Sequence, residues 1–366
     1  MRILFAGGGT AGHINPALSI ANYIKEQEQD FDALFIGTER GLERKLVPAA
    51  DYRIKYIDVC GFDRKNLLKN VSVLIKLQKA KRDAVKILKD FAPDWVVCTG
   101  GYVSGPVMLA AKKLGIPSII HEQNVYPGLT VKGSERYATY VAVSFSETVE
   151  HLKYKNKCVV TGNPVRPEIL KADKKQAREK MKLSDKPFIL VFGGSLGAQK
   201  INDTMLDLFR IIDGKSVEIL FGTGDRNYKK VCEAIKNEGI IIPDGVKVVP
   251  YINNMSEAMA AADIVVSRAG AITVSEIAAL KKPSILIPSP NVVRNHQEQN
   301  AREFEKNGAA AVITEDSLTA EKLYDTIKEM LKSGEKLKKM GENAAGLAKI
   351  DALSRIYSLI KNKPKI

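Results

Sequence analysis

The fold is decided by the stretch RILFAGGGTAG at residues 2–12, in which the residues of a buried strand run directly into a glycine-rich turn. A similar stretch, FILVFGGSLGA, returns at residues 188–198, about half a chain later. Each one predicts a strand, a tight turn and a helix, which is how a doubly wound α/β domain begins. The chain is therefore predicted to form two Rossmann-like, doubly wound domains.

The rest of the chain continues this alternation of strands and helices. Residues 2–6, 16–28 and 33–36 predict a strand, a helix and a second strand, which is the order of a parallel α/β unit. The segment TGNPVRP at residues 161–167 contains a glycine and two prolines, as is typical of a linker.

We therefore predict an N-terminal domain of residues 1–162 and a C-terminal domain of residues 163–341. The last segment, residues 342–366, is predicted to rejoin the first domain, as a helix over residues 342–360 followed by a basic tail.

Composition is that of a globular protein, with 45% hydrophobic and 27% charged residues. The longest uncharged run, Trp95–Ala111, contains glycines and a proline and is shorter than the roughly 20 apolar residues of a spanning helix. No secretion leader is recognised, so export is not expected.

The net charge of +14 favours an anionic partner, but no nucleic-acid motif is present, and no nucleic-acid partner is predicted. Four widely spaced cysteines favour reduced thiols: Cys60, Cys98, Cys158 and Cys232.

The first loop matches the GxGxxG pattern of nicotinamide enzymes at Gly7, Gly9 and Gly12. That pattern also needs an acidic residue at the end of the second strand, where this chain has Gly37-Thr38. A nicotinamide enzyme is therefore disfavoured, and a simple tight turn remains the alternative interpretation of the glycines.

His13 follows this loop at the carboxyl edge of the first strand, where ligands bind in such sheets. An imidazole at this place could deprotonate a hydroxyl group near neutral pH. A purely structural histidine is the alternative.

Three polar features follow strands of the second half. Ser195 and neighbouring backbone N–H groups are suited to a phosphate at a helix N-terminus. Glu276, at the end of SRAGAITVSE (residues 267–276), could accept hydrogen bonds from both hydroxyls of a ribose, or could simply cap its helix. Residues 295–300, NHQEQN, offer amide groups that bind sugar hydroxyls, or only begin a helix.

Six motifs in order resemble one family over essentially the whole chain. These motifs are GGTAGH (8–13), GGYVSGP (100–106), HEQN (121–124), GNPVR (162–166), GGSLGA (193–198) and the run from Arg268 to Glu276. The chain is similar to the MurG family, the N-acetylglucosaminyltransferases of bacterial peptidoglycan synthesis in glycosyltransferase family 28.

This resemblance implies a GT-B fold, in which two Rossmann-like domains face each other across a cleft. It implies UDP-N-acetylglucosamine as donor and undecaprenyl-diphosphoryl-MurNAc-pentapeptide, lipid I, as acceptor. The reaction would be an inverting transfer to the 4-hydroxyl of MurNAc that gives lipid II, a step of cell wall biogenesis on which cell shape and division depend.

The resemblance also implies roles for individual residues. Ser195 and Arg166 would hold the donor diphosphate, Glu276 the ribose, Ile252 the uracil and Gln297 the sugar hydroxyls. The full donor set would be Thr10, Ala11, Gly12, Asn124, Arg166, Ser195, Ile252, Ala271, Thr273, Glu276 and Gln297. The acceptor set would be Thr10, Gly12, His13, Tyr102 and Asn124.

His13 and Asn124 are the candidate catalytic residues. His13 would act as the base, or would bind the acceptor diphosphate and leave the base unidentified. Some family members carry a Gln-Gln pair where this chain has His296-Gln297, so the role of His296 is open.

Metal-dependent sugar transferases of another fold use a DxD pair, which occurs here at Asp30-Phe31-Asp32. It precedes the second strand, at the edge of the sheet opposite to the ligand edge. No metal site and no required cofactor are therefore predicted, and a divalent cation remains possible. Arg166 and the Ser195 helix terminus would neutralise the leaving diphosphate.

A lipid acceptor implies a membrane-facing surface, and the candidate is residues 62–90, with nine Lys or Arg against three Asp. Basic amphipathic helices of this kind can lie on anionic lipid. The alternative is an ordinary helix whose apolar face packs on the core. The implied location is the cytoplasmic face of the bacterial cell membrane, as a peripheral protein, with other cell-wall and division proteins as possible partners.

Two other functions remain open. One is a UDP-N-acetylglucosamine epimerase of the same fold, which would turn over its substrate without an acceptor. The other is a non-catalytic scaffold that binds a nucleotide as regulator, against which the set of donor residues argues.

Overall fold

The computed structural model describes residues 1–61, 69–194, 197–292 and 295–362, and it gives no side-chain description for 69–72 and 74. The chain divides into two compact units. Unit 1 comprises Met1–Val165 with Lys349–Ile366, and unit 2 comprises Arg166–Ala348. These limits differ by a few residues from the predicted ones.

Unit 1 is built on a parallel sheet of seven strands in the order β3-β2-β1-β4-β5-β6-β7. Its strands are β1 (Arg2–Gly7), β2 (Asp32–Gly37), β3 (Arg53–Tyr56), β4 (Trp95–Gly100), β5 (Ser118–Glu122), β6 (Tyr140–Val143) and β7 (Cys158–Val160). Its helices are α1 (Ala11–Gln27), α2 (Glu43–Ala49), α3 (Lys69–Phe91), α4 (Ser104–Leu114) and α5 (Leu129–Ser134).

Unit 2 has a parallel sheet of six strands in the order β10-β9-β8-β11-β12-β13. Its strands are β8 (Phe188–Phe192), β9 (Glu218–Gly222), β10 (Val246–Val249), β11 (Ile264–Ser267), β12 (Ser284–Leu286) and β13 (Ala311–Val312). Its helices are α6 (Pro167–Leu170), α7 (Lys174–Met181), α8 (Gln199–Phe209), α9 (Asp225–Asn237), α10 (Met255–Ala261), α11 (Ala271–Ala279), α12 (His296–Lys306), α13 (Ala320–Leu331) and α14 (Gly334–Leu347). The last helix, α15 (Ala352–Lys361), belongs to unit 1.

The first strand shows why the sheets are covered on both faces. Ile3 and Phe5 pack in the core that includes α1 and α15, whereas Leu4 and Ala6 pack in the core that includes α3 and α4. Successive side chains of a strand point to opposite faces, so an uninterrupted apolar run needs helices on both sides. The prediction of two doubly wound α/β domains is confirmed.

Both sheets reverse their strand order next to the first strand of the unit. The reversal lies between β1 and β4 in unit 1 and between β8 and β11 in unit 2. At such a switch point the connections leave for opposite faces of the sheet, and a crevice opens at the carboxyl ends of the strands. The fold therefore marks the loops after these four strands as the ligand edge of each unit.

The single helix predicted over residues 342–360 is wrong. Helix α14 ends at Leu347, Ala348 is extended, and α15 begins only at Ala352. Gly346 in the last turn of α14 weakens the helix there. Because α14 packs on α11, the predicted boundary at 341/342 falls inside a helix of unit 2.

Candidate functional site

The glycine loop after β1 packs directly against the loop after β4. Gly9 has a φ of +87° and Gly101 a φ of +79°, which are backbone conformations that residues with a side chain rarely adopt. A Cβ atom on Gly101 would lie 2.4 Å from the carbonyl oxygen of Gly8. The two loops at the switch point of unit 1 thus touch backbone to backbone, which only glycine permits.

His13 lies in the first turn of α1, which begins at Ala11. Its Nδ1 atom is 3.1 Å from the carbonyl oxygen of Gly8, and its ring lies so close to Gly100 that a Cβ there would be 2.6 Å from Cδ2. The hydroxyl group of Thr99 donates to the carbonyl oxygen of His13 at 2.6 Å. The hydroxyl group of Thr10 also lies 3.4 Å from Nδ1. The half-buried imidazole therefore lies between the glycine loop after β1 and Gly100 at the end of β4.

Asn124 follows β5 at the same edge of the sheet and is held by a buried carboxylate. Its backbone N and its Nδ2 donate to Glu122 Oε1 at 2.9 and 3.1 Å, and Gly128 N donates to Oε2 at 2.7 Å. Burial raises the pKa of Glu122, although these N–H donors oppose the shift. Glu122 was not among the predicted site residues. Its position inside the HEQN motif is the sequence feature that could have identified it.

His121 lies inside strand β5, before this edge of the sheet, and has a structural role. Its Nε2 donates to the carbonyl oxygen of Gly162 at 3.0 Å, and Gln123 Nε2 donates to its Nδ1 at 3.0 Å. Burial lowers the pKa of His121 to about 4, so the ring is neutral at neutral pH. The histidine thereby anchors the start of the linker to unit 1.

Tyr102 is an exposed aromatic residue in the loop after β4, with 61% of its surface accessible. Its ring covers Gly61, where a Cβ would lie 2.1 Å from the ring carbon Cζ. Thr10, which precedes α1, and Gly12, in the first turn of α1, are likewise exposed. Unit 1 thus brings the predicted residues Thr10, Ala11, Gly12, His13, Tyr102 and Asn124 to one edge of its sheet.

In unit 2, Glu276 lies on α11 with only 7% of its side chain exposed. Arg166 Nε donates to Glu276 Oε1 at 2.9 Å. Burial raises the pKa of Glu276, and Arg166 opposes the shift. Two residues that were predicted to hold different parts of one ligand therefore form an ion pair.

The loop that leads from β11 into α11 is braced by residues that were not predicted as site residues. Arg268 donates to the carbonyl oxygens of Ile287 and Pro288, both at 3.2 Å, and forms an ion pair with Glu315. Asn300 Nδ2 donates to the carbonyl oxygen of Ala269 at 3.1 Å. This brace fixes the loop immediately before the predicted residues Ala271 and Thr273, which lie in the first turn of α11.

The remaining predicted donor residues have different surroundings. Ile252 is buried against Gly222, where a Cβ would lie 2.8 Å from Ile252 Cδ1. Gln297 Oε1 accepts a hydrogen bond from Ser289 N at 2.9 Å, which orients its amide group. His296 is the first residue of α12 and half-buried, and its role stays open.

Ser195 lies outside the described residues, together with Leu196. The described ends of its loop require glycine, since Gly194 and Gly197 have φ values of +93° and +75°. A Cβ on Gly197 would lie 2.2 Å from the carbonyl oxygen of Thr223. The phosphate role of Ser195 stays a prediction.

Within the described parts of the chain, no cluster of three or more His, Cys, Asp or Glu side chains has an arrangement that could hold a metal ion. Asp32, from the DxD pair, begins β2 and forms ion pairs with Arg2 and Arg53. It thus lies at the amino end of its strand, opposite to the ligand edge.

Helix α3 has two distinct faces over its described side chains. Ala80, Ala84, Leu88 and Phe91 are buried in the core of unit 1. The opposite face exposes one apolar and four basic side chains at helical spacing: Ile75, Lys79, Arg82, Lys86 and Lys89. The first part of the predicted membrane segment, residues 62–68, lies outside the described residues. Among the described helices, none is both long and apolar enough to cross a bilayer.

Two Rossmann-like units, each with glycine-rich loops at the switch point of its sheet, are characteristic of the GT-B fold, and the family models assign the chain to the glycosyltransferases of this fold. The family model of the glycosyltransferase family 28 N-terminal domain matches residues 3–143, and that of the C-terminal domain matches residues 188–356. The crystal structure of Acinetobacter baumannii MurG superposes with a TM-score of 0.79 at 28% identity, over 99% of each chain.

Curated relatives agree with this class. The UDP-N-acetylglucosamine–N-acetylmuramyl-(pentapeptide) pyrophosphoryl-undecaprenol N-acetylglucosamine transferase of Thermoanaerobacter is 50% identical over 99% of this chain and 100% of its own length. A Bacillus cereus enzyme of the same name is 44% identical over the whole of both chains. The chain belongs to the MurG family of glycosyltransferase family 28.

A UDP-N-acetylglucosamine 2-epimerase from Neisseria meningitidis is similar in fold, with a TM-score of 0.67 at 16% identity over 99% of this chain and 100% of that one. Identity at this level shows a shared fold alone. The chain is accordingly a glycosyltransferase by family and shares only its architecture with the epimerases.

Proposed function

We propose that the protein transfers N-acetylglucosamine from its UDP donor to the MurNAc 4-hydroxyl of lipid I, with inversion, to form lipid II. The observation that carries this proposal is the 50% identity, over nearly the full length, to a relative whose name states this donor and this lipid-linked acceptor. The placement of the predicted residues at the ligand edge of each sheet supports it.

Unit 2 would bind the donor. The carboxylate of Glu276 would accept hydrogen bonds from the ribose hydroxyls, while the guanidinium group of Arg166 reaches the diphosphate and keeps its Nε on Glu276. The N-terminus of α11, with Ala271 and Thr273, adds backbone dipoles that favour the same phosphates. Ser195 would add a hydroxyl group.

Unit 1 would bind the acceptor and supply the base. The 4-hydroxyl oxygen of MurNAc attacks the anomeric carbon while His13 takes its proton, and the bond from that carbon to the UDP oxygen breaks. Asn124, oriented by Glu122, and Tyr102 would position the acceptor sugar. The leaving UDP departs as an anion that Arg166 stabilises without a metal ion.

The test is transfer of labelled N-acetylglucosamine to a lipid I analogue, with UDP release measured in parallel. We expect lipid II formation that persists in EDTA, and no turnover of donor without acceptor. Turnover without acceptor would instead indicate an epimerase. His13→Ala should lower kcat by about 10²-fold or more while UDP binding is retained, and near-normal turnover of this variant would contradict the role of His13.

We further propose that the protein works as a peripheral protein on the cytoplasmic face of the membrane and contacts anionic lipid through α3. The exposed face of α3 supports this proposal, since it carries Ile75 beside four basic side chains, Lys79, Arg82, Lys86 and Lys89. A helix of this kind gains binding free energy from apolar insertion and from attraction to anionic headgroups. Contacts with other cell-wall and division proteins stay a prediction.

Vesicle binding tests the lipid contact. Charge reversal at Lys79, Arg82 and Lys86 should weaken binding to phosphatidylglycerol vesicles, measured by sedimentation, by about 10²-fold or more, since each basic residue near the surface contributes about 1 kcal/mol. The matched control reverses three exposed lysines of α9, Lys229, Lys230 and Lys236, and should leave binding within about threefold of the wild type. Equal losses in both variants would reject α3 as the contact.

A further inference from the structure

A fully buried carboxylate lies beneath the glycine loop of unit 1. Glu43, the first residue of α2, has no exposed surface. Its Oε1 accepts hydrogen bonds from the backbone N and the hydroxyl group of Thr38, both at 2.8 Å, and its Oε2 accepts one from Gly9 N at 2.9 Å. The side chain thus ties the loop after β2 to the loop after β1.

The surroundings of Glu43 are built to admit it. A Cβ on Gly8, Gly37 or Gly41 would come within 2.0 to 2.6 Å of a Glu43 atom. Three glycines, one in the loop after β1, one at the end of β2 and one in the loop after β2, therefore make room for one carboxylate. Such a buried group is costly unless every acceptor is satisfied, and here both oxygens are.

The peptide group between Gly8 and Gly9 joins this carboxylate to His13. Its N–H end donates to Glu43 Oε2, and its carbonyl oxygen lies 3.1 Å from His13 Nδ1. The peptide is planar, so the two ends point in opposite directions. Gly101 packs against the same carbonyl group and keeps the peptide in this orientation.

Two groups lie against Nδ1 of the imidazole. The carbonyl oxygen of Gly8, at 3.1 Å, only accepts hydrogen bonds and needs the proton on Nδ1, whereas the hydroxyl group of Thr10, at 3.4 Å, can also donate to Nδ1 in the other tautomer. The shorter Gly8 contact favours the Nδ1–H form, in which Nε2 is the basic nitrogen of the neutral ring. A carboxylate bound to the N–H end polarises the peptide and strengthens the bond at its carbonyl end. The arrangement is that of a base oriented by a third group, with a peptide between them.

We propose that Glu43 is a positioning residue that acts on His13 through the Gly8–Gly9 peptide and holds the ring with its proton on Nδ1. This inference rests on the proposed function of His13 as the base. It gives the buried carboxylate a task in the transfer reaction, since the wrong tautomer presents an N–H group to the acceptor hydroxyl where a lone pair is needed.

The direct test reads the tautomer of His13 by ¹⁵N NMR of histidine-labelled protein at a pH where the ring is neutral. In the wild type we expect the Nδ1–H form. In Glu43→Gln, which keeps the volume and removes the charge, we expect a marked shift toward Nε2–H. An unchanged tautomer in Glu43→Gln overturns the proposal, whatever the role of His13 in catalysis.

The kinetic test uses a matched control. Glu43→Gln should lower kcat by about tenfold, with an unchanged KM for the UDP donor, as expected for loss of a group behind a catalytic residue. Glu135→Gln removes another buried carboxylate of unit 1, one that accepts from Lys153 N and Tyr154 N, and should leave both the His13 signal and kcat near wild type. A tautomer shift without a fall in kcat would reject the positioning role.

Two further variants keep the outcomes distinct. Glu43→Asp withdraws the carboxylate from Gly9 and should give the same shift of the His13 signal, which covers the case that Glu43→Gln does not fold. His13→Ala tests the proposed function by itself: normal turnover there, together with a tautomer shift in the Glu43 variants, contradicts the base and leaves the structural relay intact.

Discussion

Arg166 Nε donates to Glu276 Oε1 at 2.9 Å and so joins the linker end of unit 2 to helix α11. The two partners differ in exposure, since 45% of the Arg166 side chain is accessible but only 7% of the Glu276 side chain. Among the described residues, Arg166 is the one that compensates the buried Glu276 carboxylate by an ion pair. Binding of a ribose by Glu276 would build on a carboxylate that Arg166 already orients.

Arg166→Met should destabilise unit 2 because it leaves the Glu276 carboxylate buried without its cation. Full burial of both partners would make this loss about 3–5 kcal/mol, and the exposed arginine reduces it to about 1–2 kcal/mol. Urea unfolding measures the free energy, and calorimetry should show weaker UDP binding. In the control Lys332→Met, which breaks an exposed pair with Glu329, unfolding should change by less than about 0.5 kcal/mol.

Gly100→Ala should impair the reaction through His13. The backbone at Gly100 has a φ of +110°, and the added Cβ would collide with the imidazole ring. We expect a fall in kcat of about 10²-fold with UDP affinity retained, and a loss of stability of about 1–3 kcal/mol. Gly133→Ala, in helix α5 with open space around its Cα, should instead leave kcat unchanged and stabilise slightly. Normal kcat in Gly100→Ala would mean that the ring position is not critical.

Stability should fall as the pH is lowered from about 6.5 to about 4 because of His121. Burial lowers the pKa of His121 to about 4 in the folded protein, so the unfolded chain binds the extra proton in this window. The contribution to the slope is at most about 1.4 kcal/mol per pH unit. His121→Gln should flatten the pH dependence of urea unfolding, whereas His151→Gln, at an exposed position, should not.

Lys282 should also make the folded protein more stable as the pH rises, but in the alkaline range. Its Nζ donates to the carbonyl oxygens of Ala260 and Ala262, and burial, aided by Lys174 and Arg178 and opposed by Asp263, lowers its pKa to about 7.

Between pH 7 and 10.5 the unfolded chain then binds more protons than the folded protein, so unfolding should become harder as the pH rises, by at most about 1.4 kcal/mol per unit. Lys282→Met should remove this rise. Its exposed neighbour provides the control, and an identical slope in Lys281→Met and Lys282→Met would contradict the assignment.

The sequence predicted those parts of the site that local pattern determines. An apolar run that meets glycines predicts a strand and a tight turn, and the residue after the turn then lies at the ligand edge. His13 and Glu276 were found in this way. Glu43 was not, because in sequence it stands 34 residues from Gly9 within a charged, helix-forming stretch, where a glutamate is ordinarily solvated.

Long-range pairs could not be predicted for the same reason. Arg166 and Glu276 are 110 residues apart, and each was given its own ligand contact from its own motif. Their pairing depends on how α11 packs beside α6. Likewise, the sequence showed only that His121 belongs to a motif. Its burial between Gln123 and the linker could not be predicted, because it depends on the assembled sheet.

By itself, then, the sequence determined the two doubly wound units, the glycine turns at their ligand edges and the family to which the chain belongs, because these depend on residues that are neighbours in the chain. Tertiary structure alone decided which buried charges meet, such as Glu43 with the Gly8–Gly9 peptide and Arg166 with Glu276. The physical reason is that a parallel sheet brings the carboxyl ends of distant strands side by side, and a side chain acquires its partners and its burial only there.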